Sequence, residues 1–130
     1  MKRRPLILIV EDDPSVQNLL TLLLEGEGFE VITAKDGLEG LVKLDLQHPS
    51  LLILDLMMPN VSGDRLFEEV RQDPRLREVP ILIVSGRHDV HESFDALLGK
   101  PNVFTKPIDP TALIDRVEEL LGKPEPGELS

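Results

Sequence analysis

The chain has 130 residues, the length of one ordinary domain, and its 41% hydrophobic and 29% charged residues are typical of a globular protein. Acidic residues outnumber basic ones by 24 to 14, and the formal net charge of −10 disfavours direct binding to nucleic acid or to an anionic membrane. Cys, Trp and Tyr are absent, which excludes disulfides and thiolate metal sites and leaves few rings to stack on bases or on a flavin.

The N-terminus does not predict export. A basic stretch, Met1 to Pro5, precedes an apolar run at 6–10, but the run stops at the acidic triplet Glu11-Asp12-Asp13 and is too short for a signal peptide. No segment approaches the ~18 uninterrupted apolar residues that a membrane span needs. The sequence therefore predicts a soluble, cytoplasmic protein.

Five short apolar runs predict five β-strands. They begin about 22 to 28 residues apart, which leaves room each time for a strand, a helix and two short loops. They lack polar alternation, as is typical of parallel strands that are covered on both faces by helices. The predicted strands are 6–10, 29–33, 51–54, 79–84 and 103–105.

Helical periodicity between these runs predicts five helices, and hence an α/β domain. Asp13-Pro14 and Asp109-Pro110 are typical of an N-cap followed by proline in the first turn, and the last helix is expected to end at Gly122. The middle helices are predicted from Leu38, Leu41 and Val42, from Leu66, Phe67 and Val70, and from Val90, Phe94, Leu97 and Leu98. We expect a domain over 1–122, followed at 123–130 by a flexible tail or the start of a linker.

Polar residues stand where the predicted strands end, at the edge where open α/β sheets bind ligands. They are Glu11, Asp12 and Asp13 after the first strand, Asp55 after the third, Ser85 after the fourth and Lys106 after the fifth. Each alone has an ordinary interpretation as a loop residue, and Asp13 as a helix cap. Asp55 is harder to explain in this way, because it interrupts apolar residues where an uncompensated carboxylate is costly.

If the first and third strands are neighbours, Asp55 faces Glu11 and Asp12. Carboxylates ~4 Å apart repel by ~4 kcal/mol at an effective dielectric constant near 20, and a divalent cation relieves this repulsion. A small set of oxygen ligands predicts Mg²⁺, with Mn²⁺ as the alternative. Together with the cation Lys106 and the hydroxyl of Ser85, the set is suited to phosphoryl transfer.

Four stretches of the chain resemble the receiver domain of two-component response regulators, such as the chemotaxis regulators. They are ILIVEDDP from residue 7, LDLMMPNVSG from residue 54, IVSG from residue 83 and FTKP from residue 104. These motifs follow in the family's order and spacing over residues 6 to 121. The resemblance implies a flavodoxin-like (βα)5 three-layer sandwich with a parallel five-stranded sheet of order 2-1-3-4-5.

The resemblance also implies how the site works. Asp55 would accept a phosphoryl group from the phosphohistidine of a sensor histidine kinase or of a histidine phosphotransfer protein. Mg²⁺ would be bound by Asp12, Asp55 and the backbone carbonyl of Met57, with Glu11 acting through water. Lys106 would pair with the phosphoryl oxygens.

A conformational switch follows from the same resemblance. The peptide bond from Lys106 to Pro107 would be cis. Ser85 would move to hydrogen-bond the phosphoryl group and would reshape the surface of the fourth helix, the fifth strand and the fifth helix, to control a downstream protein or a fused output domain. Such a protein is a signalling switch that catalyses its own phosphorylation and dephosphorylation, and not a turnover enzyme.

The sequence departs from the family pattern at the switch. Val103 stands where receivers commonly carry Tyr or Phe, and the adjacent Phe104 is expected on the opposite face of the strand. Met57 and Arg87 stand at the positions that tune hydrolysis in the family. Because Met57 offers no polar group to orient water and Arg87 can shield the phosphoryl oxygens, we expect a long-lived acyl phosphate.

Two other classes of protein share part of this pattern. A Mg²⁺-dependent phosphatase with an aspartyl nucleophile is the main alternative, but such enzymes typically carry a second Asp two residues later, where this chain has Met57. A flavin-binding electron carrier is disfavoured by the lack of Trp and Tyr. His48, His88 and His91 are interpreted as surface residues and not as phosphocarriers.

Overall fold

The computed structural model describes residues 4–56, 63–86, 94 and 97–124. Its five strands form one parallel sheet of order β2-β1-β3-β4-β5, which confirms the predicted α/β fold. The strands are β1 (Leu6–Val10), β2 (Glu30–Ala34), β3 (Leu51–Asp55), β4 (Ile81–Ser85) and β5 (Val103–Thr105). The helices whose bounds lie within these residues are α1 (Pro14–Gly26), α2 (Gly37–Gln47), α3 (Gly63–Gln72) and α4 (Pro110–Leu121), and a 3₁₀ turn, Lys100–Asn102, precedes β5.

The observed elements agree closely with the predicted ones. Each strand begins within two residues of its predicted start, and the largest difference is at β4, where Pro80 has no N–H to donate to the sheet. The helix α4 is the fifth predicted helix. Most of the predicted fourth helix lies outside the described residues, as do residues 125–130 of the predicted tail, whereas Phe94, Leu97 and Leu98 are helical. Across the described ranges, no helix is long and apolar enough to cross a membrane.

The sheet separates two apolar clusters. Successive residues of a strand point to opposite faces, so Leu8 and Val10 of β1 enter one cluster and Ile7 and Ile9 enter the other. The α2/α3 cluster also contains Leu44, Leu52, Leu54, Leu66, Phe67 and Val70, and the α1/α4 cluster also contains Leu20, Leu24, Leu51, Ile53, Leu113 and Val117. Burial on both faces explains why the strands are uninterrupted apolar runs in the sequence.

Two predicted helix caps are confirmed. The side chain of Asp13 accepts a hydrogen bond from the backbone N–H of Ser15 at 2.8 Å. The side chain of Asp109 accepts from the N–H groups of Thr111 and Ala112. These caps fix where α1 and α4 begin, directly after the loops at the carboxyl edge of the sheet.

The predicted helix α2 is confirmed, but two of the apolar residues that predicted it, Leu38 and Val42, lie on its exposed face. Leu38 is 57% exposed and Val42 is 51% exposed. A Cβ atom on Gly40 would lie 3.0 Å from Val10 Cγ2 and 3.3 Å from Leu66 Cδ2, so the helix approaches β1 closely through its glycine side. The buried residues of the helix are Gly37, Gly40 and Leu44.

Candidate functional site

Four polar residues meet at the carboxyl edge of the sheet. Asp55 is the last residue of β3 and Ser85 the last residue of β4, while Glu11 follows β1 and Lys106 follows β5. Because the strands are parallel, all four ends lie at the same edge. The structure therefore brings together side chains that are far apart in the sequence.

Three carboxylates form a compact cluster at this edge. Glu11, Asp12 and Asp55 each place one carboxylate oxygen within 4.8 Å of the others. Glu11 is 1% exposed and Asp55 is 3% exposed, whereas Asp12 is exposed to solvent. Two of the three carboxylates are thus buried next to like charges, an arrangement that requires a compensating cation.

Lys106 provides one positive charge to this cluster. Its Nζ lies 2.9 Å from Glu11 Oε1 and 3.4 Å from Asp55 Oδ2. Burial lowers the pKa of Lys106, but the contact with Glu11 and the negative charges of Asp55 and Glu11 outweigh burial and raise the pKa above its ordinary value. Lys106 is therefore a permanent cation at neutral pH.

Glu11 is the most perturbed carboxyl group of the cluster. Its pKa is raised to about 7, first by burial and then by the charge of Asp55, against the contacts with Lys106 and with the backbone N–H of Asp13. The Asp13 N–H donates to Glu11 Oε2 at 3.1 Å. The other oxygen, Oε1, is buried and has the ion-pair contact with Lys106, but no hydrogen-bond partner among the described residues.

This donor set fits a hard divalent cation. It contains only oxygens, and the buried Glu11 Oε1 has capacity to accept a further bond, for instance from water bound to a cation. Mg²⁺ binds few carboxylates and keeps several waters, and the exposed Asp12 leaves the cluster open to solvent on one side. The acidic cluster of Glu11, Asp12 and Asp55 is typical of receiver domains that bind Mg²⁺.

The strands β4 and β5 connect Ser85 with Lys106. Ser85 is fully buried, and its carbonyl oxygen accepts a hydrogen bond from the backbone N–H of Lys106 at 3.1 Å. The Lys106–Pro107 peptide bond is cis. Val103 packs against the α2/α3 cluster and Phe104 against the α1/α4 cluster, so the aromatic ring of β5 lies on the expected, opposite face.

Gly63, at the start of α3, holds the backbone of Asp55 in place. Its N–H donates to the carbonyl of Leu56 at 3.3 Å. A Cβ atom at this position would lie 2.3 Å from the Asp55 carbonyl oxygen and 2.6 Å from Leu56 Cα, distances that real side chains do not tolerate. Only glycine permits this approach of α3 to the end of β3.

Gln17 was missed by the sequence interpretation. Its side-chain Nε2 donates to the carbonyl oxygens of Glu11 at 2.8 Å and of Ala34 at 3.2 Å. The position carries a readable signal, because Gln17 precedes the buried Leu20 and Leu24 by three and seven residues and so lies on the apolar face of α1. A polar residue on that face needs a partner in the interior.

Several predicted residues lie outside the described part of the chain. Met57 and Arg87, the expected tuning positions, are among them, and so are His88 and His91. His48 is exposed and forms the C-cap of α2, away from the carboxylates.

Comparison with known proteins identifies the class of protein. The family model described as the response regulator receiver domain matches residues 7–118. The chain therefore belongs to the response regulator receiver family, as its motifs predicted.

Curated relatives support this assignment. The phosphate regulon transcriptional regulatory protein PhoB of Rhizobium meliloti is 38% identical over 127 residues, which cover 97% of this chain and 56% of the relative. The DNA-binding dual master transcriptional regulator RpaA of Synechocystis is 34% identical over 120 residues, which cover 90% of this chain and 49% of the relative. The chain thus spans about half the length of the curated relatives it matches.

Solved structures show the same fold. A response regulator receiver protein from Pseudomonas putida is 32% identical with a TM-score of 0.81, and the match covers 92% of this chain and 99% of that chain. The chemotaxis protein CheY4 of Vibrio cholerae is 25% identical with a TM-score of 0.80, and the match covers 91% of this chain and 99% of that chain.

Proposed function

We propose that this chain is the phosphoacceptor receiver of a two-component or phosphorelay system, and that Asp55 takes the phosphoryl group. The observation that carries the proposal is the buried Asp55 carboxylate, which has Lys106 Nζ at 3.4 Å and two further carboxylates beside it. A buried nucleophile next to both a fixed cation and acidic oxygens suits the transfer of an anionic group.

Mg²⁺ would be held by Asp12, Asp55 and the backbone carbonyl of Met57, with Glu11 acting through water, and Mn²⁺ would serve in its place. The carboxylate part of this assignment is supported by the 4.8 Å cluster, and the Met57 carbonyl by the family resemblance. When bound, the ion supplies positive charge to the oxygens of the transferring phosphoryl group.

The chain's own side chains divide the reaction between them. A carboxylate oxygen of Asp55 attacks the phosphorus of a phosphohistidine, an O–P bond forms, and the P–N bond breaks. The electron pair of that bond stays with the imidazole, which leaves with a proton taken from solvent. Lys106 moves from Glu11 toward the phosphoryl oxygens, since the phosphoryl group adds about two negative charges to the site.

The switch would begin at Ser85. Its hydroxyl would hydrogen-bond the phosphoryl group and move the end of β4, which is tied to β5 through the Lys106 N–H. The surface formed by the predicted fourth helix, β5 and α4 would change with it. Because Val103 replaces the usual aromatic residue, the signal would pass through backbone displacement and not through a ring that turns inward.

The lifetime of the phosphoryl group would be set by Met57 and Arg87. Neither a methionine nor a shielding arginine orients water for attack, so the proposal includes a long-lived acyl phosphate. A half-life of only seconds in buffered Mg²⁺ would contradict this part of the proposal.

The partners follow from the class of protein. Receiver domains pair with histidine kinases and with output domains, and the relatives PhoB and RpaA are named as transcriptional regulators. For this chain we propose a sensor histidine kinase or a histidine phosphotransfer protein as donor, in the cytoplasm, and a downstream protein or a fused output domain as target. We do not expect this domain to contact nucleic acid directly, because its formal net charge of −10 repels a polyanion. We also propose that the receiver domain covers residues 1–122 and that residues 123–130 form a flexible tail or the start of a linker.

The proposal is tested by incubating the protein with acetyl phosphate, with and without Mg²⁺, and measuring the intact mass. We expect the mass of one phosphoryl group to be added only when Mg²⁺ is present. The addition should disappear in Asp55→Asn and persist in the matched control Asp115→Asn, an exposed carboxylate of α4.

Two results would overturn the assignment. One is labelling that survives Asp55→Asn, which would place the acceptor elsewhere. The other is continuous release of inorganic phosphate at many turnovers per protein molecule, which would favour the phosphatase alternative.

A further inference from the structure

Gln17 connects the acidic loop to the neighbouring strand. Its side-chain amide donates both to the Glu11 carbonyl, at 2.8 Å, and to the Ala34 carbonyl, at 3.2 Å. The Ala34 carbonyl also accepts the backbone N–H of Glu11 at 3.0 Å. The N–H and the C=O of Glu11 are therefore both fixed to one point, the carboxyl end of β2.

The other end of the acidic loop is fixed by α1. Asp13 caps this helix through Ser15, and its carbonyl accepts the backbone N–H of Gln17 at 3.0 Å. Gln17 is thus bonded at its backbone to Asp13 and at its side chain to Glu11. The peptide unit between Glu11 and Asp12 is therefore held at its carbonyl oxygen by Gln17. The chain is fixed again at Asp13, which caps α1.

This geometry bears on the carboxylates because Asp12 is exposed to solvent and directly follows the peptide unit that Gln17 holds. The direction of the Asp12 Cα–Cβ bond is set by its backbone, and the peptide unit that precedes Asp12 is the one that Gln17 holds. Removal of an outer-shell group that hydrogen-bonds to a metal-ligating residue typically lowers metal affinity or activity by about 10–100-fold.

We propose that Gln17 is a positioning residue of the divalent-cation site, which fixes the Glu11–Asp12 peptide so that both carboxylates face the cation. The inference rests on the proposed function, since the cation is the one that assists phosphoryl transfer. In this role Gln17 would contact neither the cation nor the phosphoryl group, because its amide donates to two backbone carbonyl oxygens. It acts through the backbone of Glu11, and its neutral amide adds no charge that would compete with the metal.

The test measures metal binding without any phosphoryl donor. Titration with Mn²⁺ followed by electron paramagnetic resonance suits this chain, because it contains no Trp or Tyr whose fluorescence reports on the site. Gln17→Met keeps the length of the side chain and removes both N–H donors. We expect Mn²⁺ to bind Gln17→Met about 10-fold more weakly than wild type. The matched control is Gln72→Met, at the exposed end of α3, which should bind as wild type does.

A second variant separates positioning from general stability. Gln17→Asn keeps a neutral amide donor on a shorter side chain, and we expect it to retain more Mn²⁺ affinity than Gln17→Met. A Gln17→Met protein that melts at a lower temperature in EDTA but binds Mn²⁺ as tightly as wild type would overturn the inference, because its role would then be structural. Wild-type protein that binds Mn²⁺ but takes no phosphoryl group would contradict the proposed function alone. Wild-type protein that binds no Mn²⁺ would overturn the positioning role.

Discussion

Lys106 Nζ and Glu11 Oε1 lie 2.9 Å apart, closer than Lys106 is to the proposed phosphoacceptor Asp55, at 3.4 Å. The lysine is therefore placed between two buried carboxylates and neutralises both in part. In the absence of a metal ion, this ammonium group is what makes the burial of Glu11 and Asp55 tolerable.

Substitution of Lys106 by Met is expected to destabilise the metal-free protein. The variant leaves the carboxylates without a fixed cation, and we expect the free energy of unfolding in EDTA to fall by about 1–3 kcal/mol. Urea unfolding followed by circular dichroism measures this, with Lys35→Met, an exposed lysine, as the control. Added Mg²⁺ should stabilise Lys106→Met more than wild type. Equal stability of Lys106→Met and the control in EDTA would contradict the role of Lys106 as counter-ion.

The raised pKa of Glu11 predicts that the free energy of unfolding falls as the pH rises. The pKa of Glu11 is raised from its ordinary value of 4.5 to about 7, chiefly by burial. Between these values the folded protein retains a proton that the unfolded chain has lost, so this contribution to stability is complete below pH 4.5 and is lost as the pH rises through about 7.

The measurement is the free energy of unfolding in EDTA from pH 4.5 to pH 8, compared between wild type and Glu11→Gln. The amide does not titrate, so the pH-dependent loss in this window should be smaller in the variant. An identical pH profile for the two proteins would show that Glu11 is not the group responsible. In the same window, Mg²⁺ affinity of wild type should rise with pH, because the proton and the metal compete for the carboxylate.

The close approach of Gly63 to the end of β3 predicts that even a methyl group at this position disturbs the site. Gly63→Ala places a Cβ atom 2.3 Å from the Asp55 carbonyl oxygen, which forces the end of β3 and the start of α3 apart. We expect a loss of about 1–3 kcal/mol in the free energy of unfolding, together with slower labelling of Asp55 by acetyl phosphate. The control is Gly26→Ala in α1, where nothing lies within 4 Å of the added Cβ.

In the control the sign should reverse. Alanine at a helical position stabilises by about 0.5–1 kcal/mol relative to glycine, so Gly26→Ala should be as stable as wild type or more stable. A Gly63→Ala protein with wild-type stability and labelling would mean that α3 is free to retreat from β3.

The left-handed backbone of His48 predicts that glycine is favoured over alanine at this position. His48 is the C-cap of α2 and has a left-handed backbone conformation with φ 49° and ψ 63°, a region that costs a residue with a side chain about 1 kcal/mol. His48→Gly should therefore unfold at a higher temperature than His48→Ala, although both remove the imidazole. The opposite order would show that helix propensity and not backbone conformation decides at this position.

Much of the fold was predictable because the sheet is buried on both faces. Leu51 to Leu54 and Ile81 to Val84 are apolar without interruption, and uninterrupted runs of this kind are typical of a parallel sheet that is covered by helices on both faces. The carboxyl edge followed from the same fact, since parallel strands end together. Asp55 was recognisable because it ends an apolar run whose other residues all enter the core.

The features that the sequence did not predict depend on which residues come into contact in the folded structure. Gln17 reads as one polar residue of a helix until its amide is seen between two carbonyl oxygens. The stronger contact of Lys106 with Glu11 than with Asp55 is a matter of half an ångström. The exposed side of α2 was unpredictable because Gly40, which has no side chain to count as apolar, is the residue that approaches β1.

The two apolar clusters lie on opposite sides of the sheet, and this separation affects how substitutions in the core combine. The α2/α3 cluster and the α1/α4 cluster share no side chains, since the residues of each strand alternate between them. Substitutions that are far apart and have no shared partners add in free energy to within about 0.5 kcal/mol, whereas neighbours do not. Substitutions in α2 or α3 and substitutions in α1 or α4 lie on opposite sides of the sheet, so we expect their effects on the free energy of unfolding to be close to additive and the two helical layers to diverge independently.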